Sequence, residues 1–414
     1  MERNRPQGYL RHRLAWKLLR PLLHGVMQPR YRFHARPQRG LPQPCLVFSN
    51  HVALLDPLLI CDSFPQQMYY VASEHILRRS IAPLMTWLGA PLLRRKSRTE
   101  ANTAMDILRR LRAGCNVCVF IEGERSFAGQ TEFIPDSAAH LAKMCGCSLV
   151  TYRIENGYLT EPRWSLHTRP NGSMTGHVVR VYSPQELEQM SREQVLQAIR
   201  GDLWLDAYER QELQPLAYPG PKLAESLETV LFLCPCCGSV GRLKSRDDRF
   251  WCQDCELDLR YTEFGYLESN NHHPAPYTTV RDWFNWQRQA GAAYALAHRL
   301  DPQPLACDPD QELYAVDAQT HQPSLLGRGQ LALYGDRLEF TATDRDYRLS
   351  LGLEEITNLS CHERTLLSFS VKQGKSGLFF ESDGPVPRSP YKYQLLFRTL
   401  RDRLREERRL NQGG

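Results

Sequence analysis

From Pro44 to about Ser183 the chain alternates short apolar runs with stretches of helical patterning, and this alternation narrows the possible folds more than any other feature. The runs are Leu46-Val47-Phe48, Met68-Tyr69-Tyr70-Val71, Val117-Cys118-Val119-Phe120-Ile121 and Ser148-Leu149-Val150-Thr151-Tyr152-Arg153. Each has the length and the β-branched or aromatic content of a strand. Between and after them, residues 57–63, 75–88, 99–113 and 136–146 read as helices. Strand followed by helix, repeated, predicts an α/β fold. Residues 184–217 read as a helical finish: Ser183-Pro184 with Glu186 starts one helix, and Ser191 with Gln194 forms a capping box for a second.

A chain of 414 residues is too long for one average core, so two or three units are expected. We divide it into a basic amphipathic helix (1–40), an α/β domain (41–228), a cysteine-rich ribbon (229–268), a helical connector (269–310) and a β domain closed by a helix (311–414).

The formal charge is only +6, yet the first forty residues carry Arg3, Arg5, Arg11, Arg13, Lys17, Arg20, Arg30, Arg32, Arg36 and Arg39 against Glu2. Such a segment attracts phosphates, of nucleic acid or of anionic lipid headgroups. Within it Leu14, Leu18, Leu22 and Val26 recur every four residues, joined by Trp16, Leu19 and Leu23. This periodicity predicts an amphipathic helix that packs on the following domain, lies in a membrane interface, or does both. Apolar runs such as 46–60 are interrupted by Asn50, His51 and Asp56 and fall short of the about 30 Å of hydrocarbon a spanning helix must cross. With no signal-peptide pattern and five of thirteen cysteines crowded between Cys234 and Cys255, a reducing cytosolic setting is expected.

The sharpest chemical signal is Phe48-Ser49-Asn50-His51-Val52-Ala53-Leu54-Leu55-Asp56-Pro57. A strand runs out into a polar turn, and Asp56-Pro57 is expected to cap a new helix. A carboxylate one turn from a histidine can accept from one ring nitrogen and leave the other free to take a proton from an alcohol. After the third strand comes Glu122-Gly123-Glu124-Arg125-Ser126, where Gly123 permits a tight strand end and Arg125 offers a fork of donors suited to a phosphate monoester. Arg94-Arg95-Lys96 adds a second basic group.

The order and spacing of these blocks over roughly residues 44–175 resemble the glycerolipid acyltransferase family, the group that includes 1-acyl-glycerol-3-phosphate acyltransferase. The family's Asn-His-X4-Asp block is matched by Asn50-His51 and Asp56, and its Phe-Pro-Glu-Gly-Thr-Arg-Ser block by Phe120-Ile121-Glu122-Gly123-Glu124-Arg125-Ser126. Ile121 replaces the usual proline, and Glu124, in place of threonine, sets a carboxylate beside the expected phosphate site. Arg95 matches the basic member of the family's second block, and Leu149 to Arg153 stand loosely for its late strand.

The resemblance implies that His51 is general base and Asp56 its orienter, with Asn50, Arg95, Glu122, Gly123, Arg125 and Ser126 around the substrate. The implied reaction carries a fatty acyl group from acyl-CoA or acyl-carrier protein to the hydroxyl of a lysophospholipid, 1-acyl-glycerol 3-phosphate foremost. With the basic amphipathic helix and the cytosolic cysteine usage, a peripheral location on the cytoplasmic face of an anionic membrane is expected, and no redox or nucleotide cofactor beyond the thioester substrate. The alternative is a catalytically silent lipid-binding scaffold; a nucleic-acid partner is not expected.

Further along, Cys234-Pro-Cys-Cys237-Gly238 and Cys252-Gln-Asp-Cys255 are two Cys-X2-Cys knuckles that can present four thiolates to a structural zinc, with Cys236 spare. Phe250 or Trp251 is expected to cover the metal. Arg242, Lys244, Arg246 and Arg249 are nearly balanced by the acidic residues around them, which argues for a solvated loop rather than a nucleic-acid face. After Leu313 short alternating strands with turns at 334–336, 373–375 and 383–385 precede a charged helix from about Pro390. Their order resembles a pleckstrin-homology-type domain.

Overall fold

A computed structural model describes residues 5–35, 37–73, 92–94, 100–317, 322–362, 364–373 and 376–412, with residues 87, 89 and 320. The expected helix over 75–88, apart from Trp87, and the candidate phosphate ligand Arg95 lie outside the described residues. The chain divides into two units, the first ending at Gly220 and the second beginning at Pro221 and including Trp164–Leu166.

The first unit opens with α1 (Tyr9–Tyr31), β1 (His34–Ala35), β2 (Cys45–Ser49), α2 (Asp56–Ser63), β3 (Met68–Ser73) and β4 (Leu92–Arg94). It continues through α3 (Glu100–Arg112), β5 (Asn116–Phe120), α4 (Ser137–Met144), β6 (Ser148–Glu155) and α5 (Gly157–Thr160). It closes with β7 (Thr175–Tyr182), α6 (Pro184–Gln189), α7 (Arg192–Leu203) and α8 (Ala207–Leu213). Both expected capping boxes are present: Ser183 with Glu186, and Ser191 with Gln194. The strands form one seven-stranded sheet in the order β1-β7-β6-β2-β5-β3-β4. All neighbours are parallel except β6 and β7.

Every residue of β2 is buried because the sheet is covered on both faces. Leu46 and Phe48 point to a core shared with Leu108 and Leu111 of α3, Leu141 of α4 and Ile199 of α7. Cys45 and Val47 point to the opposite core, with Met27 and Tyr31 of α1 and Leu59 and Ile60 of α2. The strand β7 was not singled out in the sequence. It pairs antiparallel with β6 at the side of the sheet opposite β3 and β4.

The helix α1 has two apolar stripes. His12, Ala15, Met27 and Tyr31 are buried, with Trp16 packed beside them, whereas Leu10, Leu14, Leu18, Leu22 and Val26 are each 58–73% exposed. Among the described residues no helix is long and apolar enough to cross a membrane.

The second unit begins with a four-stranded antiparallel sheet: β8 (Leu243–Arg246), β9 (Arg249–Cys252), β10 (Asp258–Tyr261) and β11 (Leu267–Ser269). Next come α9 (Val280–Ala297), β12 (Ala306–Val316), β13 (Pro323–Leu333), β14 (Arg337–Ala342) and β15 (Arg348–Gly352). The last elements are β16 (Ile356–His362), β17 (Leu366–Gln373), β18 (Ser376–Asp383) and α10 (Pro390–Gln412). The seven strands β12–β18 form one antiparallel sheet in the order β15-β14-β13-β12-β18-β17-β16. Phe397 and Leu400 of α10 join Leu331, Phe340, Leu367 and Phe369 of this sheet in one core.

Candidate active site

The ends of β2 and β5 are neighbours in register, Ser49 opposite Phe120, so the turns that follow them meet at the carboxyl edge of the sheet. Ligand sites of open α/β sheets form at such edges. The first turn carries His51, and Nδ1 of its ring lies 2.8 Å from Oδ2 of Asp56. The same oxygen accepts from the backbone N–H of Val52 at 2.7 Å and of Ala53 at 3.0 Å. Asp56 is fully buried, and His51 keeps 23% of its side chain exposed. The imidazole stacks on Phe120 with ring centroids 4.5 Å apart. Nε2 is left without a partner among the described residues, on a ring whose tilt is fixed by stacking and whose other nitrogen is held.

One expectation is corrected. Asp56 does not cap α2: Leu55 is the N-cap, without a side-chain hydrogen bond, and Asp56 is the first helical residue. Its carboxylate turns back to the 51–53 turn because two backbone donors and the imidazole converge there.

Glu122 joins the two turns. Its Oε1 accepts from the His51 N–H at 3.0 Å and its Oε2 from the Glu132 N–H at 2.5 Å. The His51 carbonyl in turn accepts from the Ser126 N–H at 2.9 Å. Burial of the Glu122 carboxyl among protein atoms raises its pKa to about 8, against the two backbone donors, which favour the ionised form. Gly123 sits at φ 76°, a region glycine enters without steric cost. The Ser126 hydroxyl donates to the Gln130 carbonyl at 2.7 Å and accepts from the Gly129 N–H at 3.0 Å, closing its own loop. Asn50 is likewise buried: its amide exchanges two 2.8 Å hydrogen bonds with the backbone of Ile154 in β6. Asn50, Glu122 and Ser126 therefore brace the turns, while His51 presents an unpartnered nitrogen.

Arg125 donates to the Pro162 carbonyl at 3.3 Å and faces Glu161 at 3.8 Å. Glu124, the carboxylate that departs from the family pattern, is held 3.2 Å from Arg163. Arg163 also donates to the Arg125 carbonyl at 2.7 Å and lies 4.0 Å over the Phe127 ring. Sequence reasoning missed Glu161 and Arg163 because they come from the loop after β6, remote in the chain from both turns. Gly157, the first residue of α5 just before them, has a steric reason: a Cβ there would sit 2.3 Å from Cγ2 of Val52.

In the second unit the sulfur atoms of Cys234, Cys237, Cys252 and Cys255 all lie within 4.8 Å of one another. Cys234 and Cys255 are 3.6 Å apart, Cys237 and Cys252 3.7 Å. Four thiolates about 2.3 Å from a tetrahedral zinc stand roughly 3.8 Å from each other, so this donor set fits such an ion with no open coordination position. Cys236 is exposed and outside the cluster. Phe250 is buried against Trp283 of α9, ring centroids 5.4 Å apart.

Residues 31–155 match the family model described as Acyltransferase. Over 118 residues the chain is 27% identical to 1-acyl-sn-glycerol-3-phosphate acyltransferase beta from Homo sapiens, a match covering 27% of this chain and 42% of the human protein. It thus spans less than half the length of that relative. Among solved structures, the 1-acyl-sn-glycerophosphate acyltransferase PlsC from Thermotoga maritima superposes with a TM-score of 0.40 and 16% identity, over 49% of this chain and 80% of that one. A chain of the 8S snRNP assembly intermediate superposes with a TM-score of 0.20 and 12% identity, over 24% of this chain and 83% of that one.

Proposed function

We propose that this chain, whose residues 31–155 match the Acyltransferase family model, transfers a fatty acyl group from a thioester to the hydroxyl of a lysophospholipid at an anionic membrane surface. The observation that carries this reading is the His51–Asp56 pair, a buried carboxylate on Nδ1 of a partly exposed imidazole at a sheet edge. In the reaction Nε2 of His51 removes the acceptor's hydroxyl proton as its oxygen attacks the thioester carbonyl. Asp56 holds the ring and offsets the imidazolium charge. The tetrahedral adduct then collapses: the new ester C–O bond remains, the C–S bond breaks, and the imidazolium returns the proton to the departing sulfur. No acyl-enzyme forms.

The donor is acyl-CoA or acyl-carrier protein, and the acceptor foremost 1-acyl-glycerol 3-phosphate, whose phosphate is assigned to Arg125. Pairing of Glu124 with Arg163 offsets the charge the sequence set beside that phosphate. The membrane is met by the exposed apolar stripe of α1, flanked by exposed Arg13 and Lys17, which suits anionic headgroups and a peripheral place on the cytoplasmic face. Zinc in the four-cysteine site would hold the ribbon together, and the β12–β18 sheet closed by α10 is read as a domain of pleckstrin-homology type.

The test is transfer of a labelled acyl group from acyl-CoA and acyl-carrier protein to a panel of lysophospholipids and glycerol 3-phosphate, alongside the His51→Ala protein. Product that disappears with His51→Ala supports the enzyme and names its acceptor. Product formed at the parent rate by His51→Ala, or none from the parent with any pair, overturns it; lipid binding without turnover would leave the scaffold.

A further inference from the structure

The segment 51–63 carries both members of the catalytic pair, and α1 is fastened to it at both ends. At the far end Nε and Nη2 of Arg20 donate to the carbonyls of Cys61 and Asp62 at 3.1 and 2.8 Å, and His24 lies 2.6 Å from the Asp62 carboxylate. At the near end the link runs through Glu161. Its Oε2 accepts from the Leu54 N–H at 2.7 Å, inside the turn between His51 and Asp56, and from the Tyr31 hydroxyl at 3.0 Å. Its Oε1 accepts from Arg30 at 3.2 Å. Tyr31 and Arg30 are the last two residues of α1. Glu161 is itself buried and lies 3.8 Å from Arg125. One carboxylate therefore joins the end of α1, the backbone of the catalytic turn and the arginine of the other turn.

A buried carboxylate with this many donors is costly unless each is satisfied, and such networks hold one geometry well. Tyr31 pairs with Glu161 inside the protein, and burial together with that carboxylate raises its phenol pKa, so the hydroxyl keeps its proton and donates.

We propose that Glu161 is a positioning residue: it ties the Leu54 backbone to the end of α1, and the seating of α1 thereby sets the His51–Asp56 geometry. The idea rests on the acyltransferase reading for its consequence in turnover, but its geometric content can be read without turnover.

The experiment uses the full chain and two variants, Glu161→Gln, which keeps an acceptor but removes the charge, and Tyr31→Phe, which removes the buried hydroxyl link to α1 and leaves the Arg30 ion pair. Turnover is measured together with the titration of the His51 ring by NMR, its signal assigned by loss in His51→Ala. Both variants are expected to lower kcat about tenfold or more while KM for the thioester moves by less than about threefold. Both are also expected to displace the His51 midpoint by about half a pH unit or more. A purely structural role would lower the melting temperature and leave kcat and the midpoint of the folded protein in place. If Glu161→Gln does not fold, Tyr31→Phe decides. An unchanged His51 midpoint in the folded variants overturns the proposal. A parent without His51-dependent turnover removes the acyltransferase reading instead, and the midpoint alone then decides this one.

Discussion

Asp56 and Glu122 are two carboxylates serving one turn, and their surroundings give them different work. Asp56 gathers three hydrogen bonds on a single oxygen, from the His51 ring and the Val52 and Ala53 backbone, and so fixes the ring within the turn. Glu122 receives one backbone donor on each oxygen, yet burial raises its pKa to about 8, above the 4.5 of a free carboxyl. The sign follows: the folded protein keeps a proton that the unfolded chain releases, so this group's contribution is full below pH 4.5 and is lost as pH rises to about 8. Unfolding in urea across pH 5–8 should therefore show the parent losing stability relative to Glu122→Gln; parallel curves would sink the assignment. His51 and Asp56 were legible in the sequence because their geometry is local, five residues and one turn. Glu161 and Arg163 were not, since nothing near them in sequence says which turns they will face.

The helix α1 has a periodicity the sequence displayed and a choice it left open. Apolar residues recur on two sides, and only the fold decides which side meets the domain: Ala15, Met27 and Tyr31 do, and the Leu10-Leu14-Leu18-Leu22-Val26 stripe does not. An exposed stripe of this length beside arginine and lysine suits a lipid interface. Leu14→Glu with Leu18→Glu should leave the melting temperature close to the parent's, because both side chains are already 58% and 63% exposed. Each leucine buried in lipid is worth roughly 1.5–3 kcal/mol, so the pair should weaken sedimentation with phosphatidylglycerol vesicles by about a hundredfold or more. Equal binding by parent and variant would assign the stripe to something other than lipid. The strand β7 escaped sequence reading for a related reason: its burial alternates irregularly, interrupted by a register shift against β6, so no clean period announces it.

The two units differ in how far local sequence determines them. The four-cysteine cluster follows from two short spacings and was legible in full, whereas the pairing of β12 with β18, which closes the order of the seven-stranded antiparallel sheet, joins segments remote in the chain and left no local mark. The proposed catalytic and metal sites fall in different units, since His51, Asp56, Glu122, Arg125 and Glu161 belong to the first and the four cysteines to the second. Metal analysis of the purified full chain should return about one zinc per chain. Chelation should raise hydrogen exchange at the knuckles within residues 230–262, since the ion would join the two Cys-X2-Cys turns that flank the β8–β9 hairpin. Turnover in the same sample should stay within about twofold of the parent. A folded protein free of metal, with those amides already protected, would show that the cysteines pack without an ion. Turnover lost in step with the zinc would show instead that the ribbon supports the first unit, and the division of labour argued from the fold would fail.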